Sequence, residues 1–240
     1  VIKEYGVNTS ISYLDSSNIT LGADYKKFED KKIVEDFTNE SRVKNYNNKG
    51  IFITNTNKFF DDRTILTEAL RYDRYSDFEN KTTGKIGIKQ YIVDDLNISS
   101  NYGTGYNVPN LYQLHDVWVG NDTLQPEKTK SYDVSIAYEG FSVTYFNTKI
   151  KDLIDYNYAT WTYDQMSGTS KLKGTEIAYK NEVIEDLLLN LSYTNLSAKD
   201  AKGDKLLNRP TNKFNFGVDY YGLKDFHFNV NGEYIGSRES

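Results

Sequence analysis

Apolar and polar residues alternate one by one over most of this chain, the pattern of β-strands with one apolar face. The cleanest run begins at Phe226. Phe226, Phe228, Val230, Gly232 and Tyr234 point one way, and His227, Asn229, Asn231 and Glu233 point the other. Phe214, Phe216, Val218 and Tyr220 alternate with Asn215, Gly217 and Asp219. Leu187, Leu189, Leu191 and Tyr193 form a third set, and Tyr132, Val134, Ile136 and Tyr138 a fourth. Phe141, Val143 and Tyr145 follow the same rule, as do Ile19, Leu21, Ala23 and Tyr25. The pattern predicts strands over 4–14, 17–29, 46–59, 63–76, 82–93, 96–106, 128–139, 141–155, 170–181, 186–198, 211–221 and 224–236.

Most of these runs are longer than the usual strand of about 5–6 residues. A tilted strand needs about 9–11 residues to cross the hydrocarbon core of a membrane. The lengths therefore favour a transmembrane β-barrel, all-β and antiparallel, over a soluble sandwich. The connections point the same way. Short turns are expected near Asp15-Ser16, Asp61-Asp62, Asp94-Asp95, Glu139-Gly140, Asn181–Asp186 and Gly222. Longer segments fall between them at 30–45, 77–81, 107–127, 156–169 and 199–210. Outer-membrane barrels sort short periplasmic turns from longer extracellular loops in this way. One strand is ambiguous: if Leu66, Leu70 and Tyr72 face lipid, Arg71 and Asp73 face the lumen, but Glu68 then faces lipid too. Its carboxyl is tolerated better near an interface than at the midplane.

Composition alters this picture little. The 240 residues are 38% hydrophobic with a mean hydropathy of -0.67. Alone, these values describe a soluble chain, but strands that alternate apolar and polar faces average out to polar. No run of eighteen apolar residues is present, so no transmembrane helix is predicted. The 21 Tyr, 12 Phe and 2 Trp suit a membrane–water boundary, because a tyrosine is apolar along its ring and polar at its tip. The absence of cysteine excludes a disulfide framework or a thiolate metal site. With His115 and His227 alone, a multi-histidine metal site is not expected. A net charge of -5 gives no reason to expect a nucleic-acid partner. The chain does not begin with Met and shows no signal peptide, which for an exported protein implies a mature or truncated segment.

The stretch GTGYNVPNLYQLHDVWVGNDTLQPEKTKSYDV, from Gly103, resembles the paired boxes of TonB-dependent outer-membrane receptors. Tyr106, Pro109, Asn110 and Leu111 match the first box; Asn121, Leu124, Pro126 and Glu127 match the second. Asn107-Val108 replace the usual basic-Ala pair, and Asp122 replaces a proline. Further matches follow in the family's order: KDLIDY at 151–156, KLKGTEIAY at 171–179, LLNRPTNKFNFGVDY at 206–220 and GEYIGSR at 232–238. The resemblance is firm over roughly 100–238 and closest to the cobalamin and siderophore receptor branch. It implies a barrel of about 22 strands with a plugged lumen. The chain then represents an internal barrel segment, 1–240, without the plug domain or the terminal strands. The implied function is TonB-energised uptake of a scarce nutrient complex (ferric siderophore, cobalamin or haem) across the bacterial outer membrane. Implied partners are the TonB complex, acting through the plug, and outer-membrane lipid.

Candidate ligand contacts lie in the long loops, where aromatic side chains and a few polar groups can meet a chelate or macrocycle. Loop 107–127 offers Tyr112, His115 and Trp118; loop 156–169 offers Tyr158, Trp161 and Tyr163. The same residues could equally serve loop packing or an interfacial girdle. His115 lies between the two boxes, where haem receptors of the family carry a histidine. Asp61-Asp62 and Asp94-Asp95 read as turn residues rather than cation ligands. No catalytic residue, cofactor or metal site is expected, since neither histidine lies in a nucleophile motif. Two alternatives stay open: a self-contained 12-stranded outer-membrane barrel, porin-like or enzymatic, and a soluble carbohydrate-binding β domain.

Overall fold

The computed structural model describes residues 1–13, 16–33 and 42–239. Twelve strands form one sheet in sequence order, each antiparallel to the next where the register is defined. They are β1 (Ile2–Tyr13), β2 (Ser17–Ile33), β3 (Arg42–Phe59), β4 (Thr64–Tyr75), β5 (Lys81–Tyr91) and β6 (Asn97–Asn107). After a short helix, α1 (Leu111–His115), come β7 (Glu127–Tyr138), β8 (Phe141–Asn157) and β9 (Thr162–Ile184). The last three are β10 (Leu187–Lys199), β11 (Asn212–Leu223) and β12 (Phe226–Ile235). Among the described residues, β1 and β12 each have a hydrogen-bonded neighbour on one side only.

The chain divides into two units. The first comprises Val1–Ile86, Gly103–Lys130 and Ile150–Ser170; the second comprises Gly87–Tyr102, Ser131–Lys149 and Lys171–Ser240. In the first unit the register of β1–β4 builds apolar rows on one face. Val7, Ala23, Ile51 and Tyr72 make one row, and Thr9, Leu21, Ile53 and Leu70 the next. Val7 is 71% exposed, Ile51 60% and Leu70 55%, values that only an apolar surrounding makes acceptable for so continuous a surface. Glu68 does lie on this face. It sits one row from Leu70 towards the β3–β4 turn, where Asn55 Nδ2 donates to its Oε2 (3.3 Å). Tyr13 Oη lies 2.5 Å from Asn55 Oδ1 and 2.6 Å from Asn57 Oδ1, so the carboxylate joins a small polar group at the edge of the apolar band.

The opposite face carries a cluster of paired charges. Arg71 meets Asp24 at 2.6 Å and Asp73 at 2.7 Å, Asn48 Nδ2 donates to Asp73 Oδ1, and Phe52 lies under the guanidinium at 5.9 Å. Such a bidentate arrangement satisfies the guanidinium fork within the wall. Arg71 and Asp73 thus face away from Leu70 and Tyr72, as the alternation requires.

In the second unit Tyr193, Phe214 and Tyr234 share a row of the apolar face, followed by Leu189, Val218 and Val230. Ser192, Asn215 and Glu233 share a row of the polar face, as do Asn190, Gly217 and Asn231. Hydroxyl pairs bridge neighbouring strands there, Ser131 with Thr148 and Ser135 with Thr144, both at 2.9 Å. No helix of the described residues is long and apolar enough to cross a membrane.

Nine strands lie within two residues of their predicted bounds; β2, β3 and β9 depart further. β2 runs to Ile33 rather than 29, β3 begins at Arg42 rather than 46, and β9 begins at Thr162 rather than 170. The expected long loop 156–169 is therefore a tight hairpin, with 158–161 between the strands. Its strand extension, Thr162 to Thr169, has Tyr163 and Met166 on opposite faces among polar and small residues and so lacks the alternation that marks a strand. Segment 76–80 is likewise short. The proposed turn residue Asp15 and the middle of the proposed loop 30–45 lie outside the described residues.

Candidate ligand-contacting loops

Loop 107–127 begins with an N-capped helix. Asn110 Oδ1 accepts from the Gln113 backbone N–H (2.8 Å), and Gln113 Oε1 accepts from the Asn110 backbone N–H (3.0 Å). This reciprocal capping box satisfies two donors that a helix start leaves open. Pro109 is fully buried, and Leu111 and Leu114 are buried on one side of α1. The helix lies against β2 and β3, where Tyr46 is 4% exposed and stacks on Phe28 with centroids 4.6 Å apart. Phe78 packs edge-on against Tyr46 and Tyr75, and Tyr75 meets Tyr106 at 5.8 Å.

The second half of the loop is stapled to the β8–β9 hairpin. Asn121 Oδ1 accepts from Thr123 N–H, making an Asx turn, while its Nδ2 donates to the Tyr163 carbonyl (2.9 Å). Tyr163 N–H donates to the Val119 carbonyl (2.9 Å). Gln165 adds a two-way clamp: its Oε1 accepts from Gln125 N–H, and its Nε2 donates to the Gln125 and Asp152 carbonyls. Leu124 is 2% exposed and Pro126 is buried. Glu127 accepts twice, from Asn107 Nδ2 and from the Ile154 backbone N–H, both at 2.7 Å. Within β8, Asp152 adopts a left-handed conformation (φ 61°) two residues before Ile154.

The residues of the two boxes are thus placed as the architecture of the loop. The aromatic candidates sit on that architecture. Tyr112 meets Tyr163 edge-on at 6.1 Å, Tyr163 meets Tyr156 at 5.4 Å, and Tyr156 meets Tyr158 at 5.0 Å. Trp118 is 74% exposed and Trp161 67% exposed. Trp161 also has φ 61°, uncommon for a bulky side chain and costing about 1–3 kcal/mol. Its hairpin is held by Asn157, which donates to Asp164 (2.7 Å) and accepts from the Ala159 N–H.

His115 stands apart. It is half-buried in the last turn of α1, and among the described residues no ring of the aromatic group stacks on it. Burial holds its imidazole below the ordinary histidine value, with the Lys44 ammonium adding to the effect and Asp122 and Asp77 opposing it. His227, at the start of β12, lies 3.2 Å from Asp219 and stacks on Tyr221 at 4.3 Å.

Sequence reasoning missed Tyr156, Gln165 and Asn157 as site residues. Tyr156 closes the KDLIDY match but carries no signal of its ring contacts, no motif marks Asn157, and Gln165 works through Gln125, distant in the chain. The spacing Asn110–Gln113 could have revealed α1 as a capping box.

Comparison with known proteins bears on these loops and on the strands that carry them. Residues 3–240 match the family model described as TonB dependent receptor-like, beta-barrel. The vitamin B12 transporter BtuB of Vibrio cholerae serotype O1 is 28% identical over 180 residues, covering 72% of this chain and 29% of its own length. Among solved structures, a ferric enterobactin receptor (PfeA) mutant from Pseudomonas aeruginosa superimposes with a TM-score of 0.76 at 18% identity, covering 98% of this chain and 41% of that one. The siderophore receptor PirA from Acinetobacter baumannii gives 0.74 at 16%, covering 97% and 41%. The ferric-catecholate import receptor Fiu from K12 E. coli gives 0.73 at 15%, covering 99% and 44%. The chain therefore spans about three tenths of the curated relatives' length and just over two fifths of these solved receptors. With the family model covering residues 3–240, this chain belongs to the TonB-dependent receptor β-barrel family.

Proposed function

We propose that this chain supplies wall strands and external loops to an outer-membrane receptor of about 22 strands. Its short turns face the periplasm and its stapled loops face outside. The receptor takes up a scarce nutrient complex, a ferric siderophore, cobalamin or haem, with energy delivered by TonB through a plug domain. The aromatic group at Tyr112, Trp118, Tyr158, Trp161 and Tyr163 contacts that cargo. His115 takes a polar part beside it. The observation that carries this reading is Trp161, a large apolar side chain held out in solvent by a hairpin whose backbone is strained to do so. A residue serving only to pack the loop would be drawn inward, as Leu111 and Leu124 are.

The test uses the full-length receptor. A receptor-deletion strain complemented with the full-length gene is grown on cobalamin, haem or ferric siderophore as the limiting source, and one of the three is expected to restore growth. With that cargo, Trp118→Ala/Trp161→Ala should weaken binding by about tenfold or more, since buried aromatic anchors contribute about 2 kcal/mol or more each. Rescue by none of the three, or unchanged binding in a correctly folded double variant, would refute the assignment.

A further inference from the structure

We propose that the aromatic group on these loops selects a metal complex of neutral or positive charge and rejects an anionic one. The inference rests on the proposed contact between that group and the cargo, and it concerns the charge the cargo carries. All the residues involved lie in the first unit. Segment 76–80 holds two carboxylates, loop 107–127 three, and the β8–β9 hairpin from Asp152 to Thr169 three more. None of the three segments contains Lys or Arg.

The lysines that border these segments have neighbours of their own. Lys81 Nζ lies 5.7 Å from the centroid of the Tyr106 ring, Lys128 lies 3.9 Å from Glu79, and Lys44 stands opposite Asp30 in the β2–β3 register. Lys151 alternates in step with Tyr145, on the apolar face of β8. Even with Lys44, Lys81 and Lys128 counted in, the group keeps an excess of five negative charges. The whole chain, with 29 Lys and Arg against 34 Asp and Glu, has the same excess. The rest of the chain is therefore balanced, and the imbalance is concentrated in these loops.

The carboxylates stand beside the exposed rings. Asp116 Oδ1 accepts from the backbone N–H groups of Trp118 (3.0 Å) and Val119 (3.1 Å). Asp164 accepts from Asn157 Nδ2 and, at 3.4 Å, from the Thr160 and Thr162 hydroxyls on either side of Trp161. Asp155 Oδ1 accepts from the Tyr156 N–H (2.9 Å), and the Tyr156 ring meets those of Tyr158 and Tyr163. These donors are neutral, so they hold the carboxylates in place without cancelling their charge. Among the described residues no Lys or Arg lies within ion-pair distance of Asp116, Asp155 or Asp164. Salt screens such charges only beyond a Debye length of about 8 Å. The rings add to the preference, because an aromatic face attracts cations. Three catecholate dianions around a ferric ion leave a strongly anionic complex, and haem presents two propionates. Both bring like charge to the site, a common means of rejecting a partner. Ferric trihydroxamates and amide-rimmed corrinoids do not.

The full-length receptor, purified in non-ionic detergent, is tested by equilibrium dialysis against cyanocobalamin (neutral), ferrioxamine B (cationic) and ferric enterobactin (anionic). The tightest ligand should be one of the first two, with ferric enterobactin weaker by about tenfold or more. Added salt should narrow that gap. Asp116→Asn/Asp164→Asn, which keeps an acceptor oxygen at each position, should narrow it by about tenfold. Asp122→Lys, at an exposed position outside the loop's hydrogen bonds, should do the same if the double variant folds poorly. Glu185→Gln/Asp225→Asn makes the same change of net charge at two distant turns and should leave the gap as it is. Two results overturn the charge preference and leave the aromatic contact standing. One is equal narrowing by the distant variant; the other is ferric enterobactin as the tightest ligand, lost in Trp118→Ala/Trp161→Ala. Binding that survives the tryptophan exchange in folded receptor, or binding of none of the three probes, refutes the aromatic contact itself and this inference with it.

Discussion

His115 sits where α1 meets β3, and its half-buried ring resists protonation because of desolvation and the Lys44 charge. A histidine whose folded value is lowered is protonated more readily in the unfolded loop. Its contribution is therefore fully present above the ordinary value of about 6.5 and is lost as pH falls through the lower, folded value. Amide exchange in 107–127 of the full-length receptor, corrected for intrinsic rates, should rise between neutral and mildly acidic pH. The rise should shrink in His115→Gln; an identical rise in that variant would remove His115 as the cause. At this scale the sequence was partly legible. The box residues could be named from the resemblance, and the capping box of Asn110 and Gln113 stands in the text of the chain. The double role of Gln165 could not be read, because its partners Gln125 and Asp152 are set by register between strands. Glu68 shows the same limit from the other side: alternation places it on the apolar face, but only the fold reveals Asn55 and Tyr13 beside it.

Strands were legible wherever one face must be apolar. At the start of β9, Tyr163 and Met166 fall on opposite faces among polar residues, so no apolar face forms and the alternation predicts a start eight residues late. The turn at Glu139-Gly140 was legible for a separate reason. Both residues have positive φ, 45° and 80°, which a two-residue hairpin of this hand demands. A second glycine marks where two strands come close. Gly174, in the KLKGTEIAY stretch of β9, faces the carbonyl of Asn195 on β10. A Cβ there would fall well inside van der Waals contact of that oxygen and 2.7 Å from Cζ of Phe146. Backbone cannot swing aside as a side-chain tip can, so Gly174→Ala should force the β9–β10 ladder apart, at about 1–3 kcal/mol. The expected result is a lower midpoint of heat-modifiable gel migration for the full-length receptor. An unchanged midpoint would show that the ladder absorbs the methyl.

For the whole molecule the decisive fact is that β1 and β12 are each paired on one side only among the described residues. In lipid, each unpaired backbone group costs several kcal/mol. Residues 1–240 expressed alone should therefore aggregate or depend on detergent, whereas the full-length receptor should migrate as a compact, heat-modifiable monomer. A heat-modifiable monomer from the 240-residue chain would contradict this. The staple between loop 107–127 and the β8–β9 hairpin has a consequence at the same scale. Its bonds run through Asn121, Gln125, Glu127 and Gln165, while Trp118 and Trp161 project beyond them and carry none of its side-chain bonds. What holds the loops is thus separate from what meets the outside. Exchange of a tip residue leaves the frame intact; on the proposed reading of Trp118 and Trp161 as cargo contacts, selection can retune them one step at a time without passing through a sequence that fails to fold.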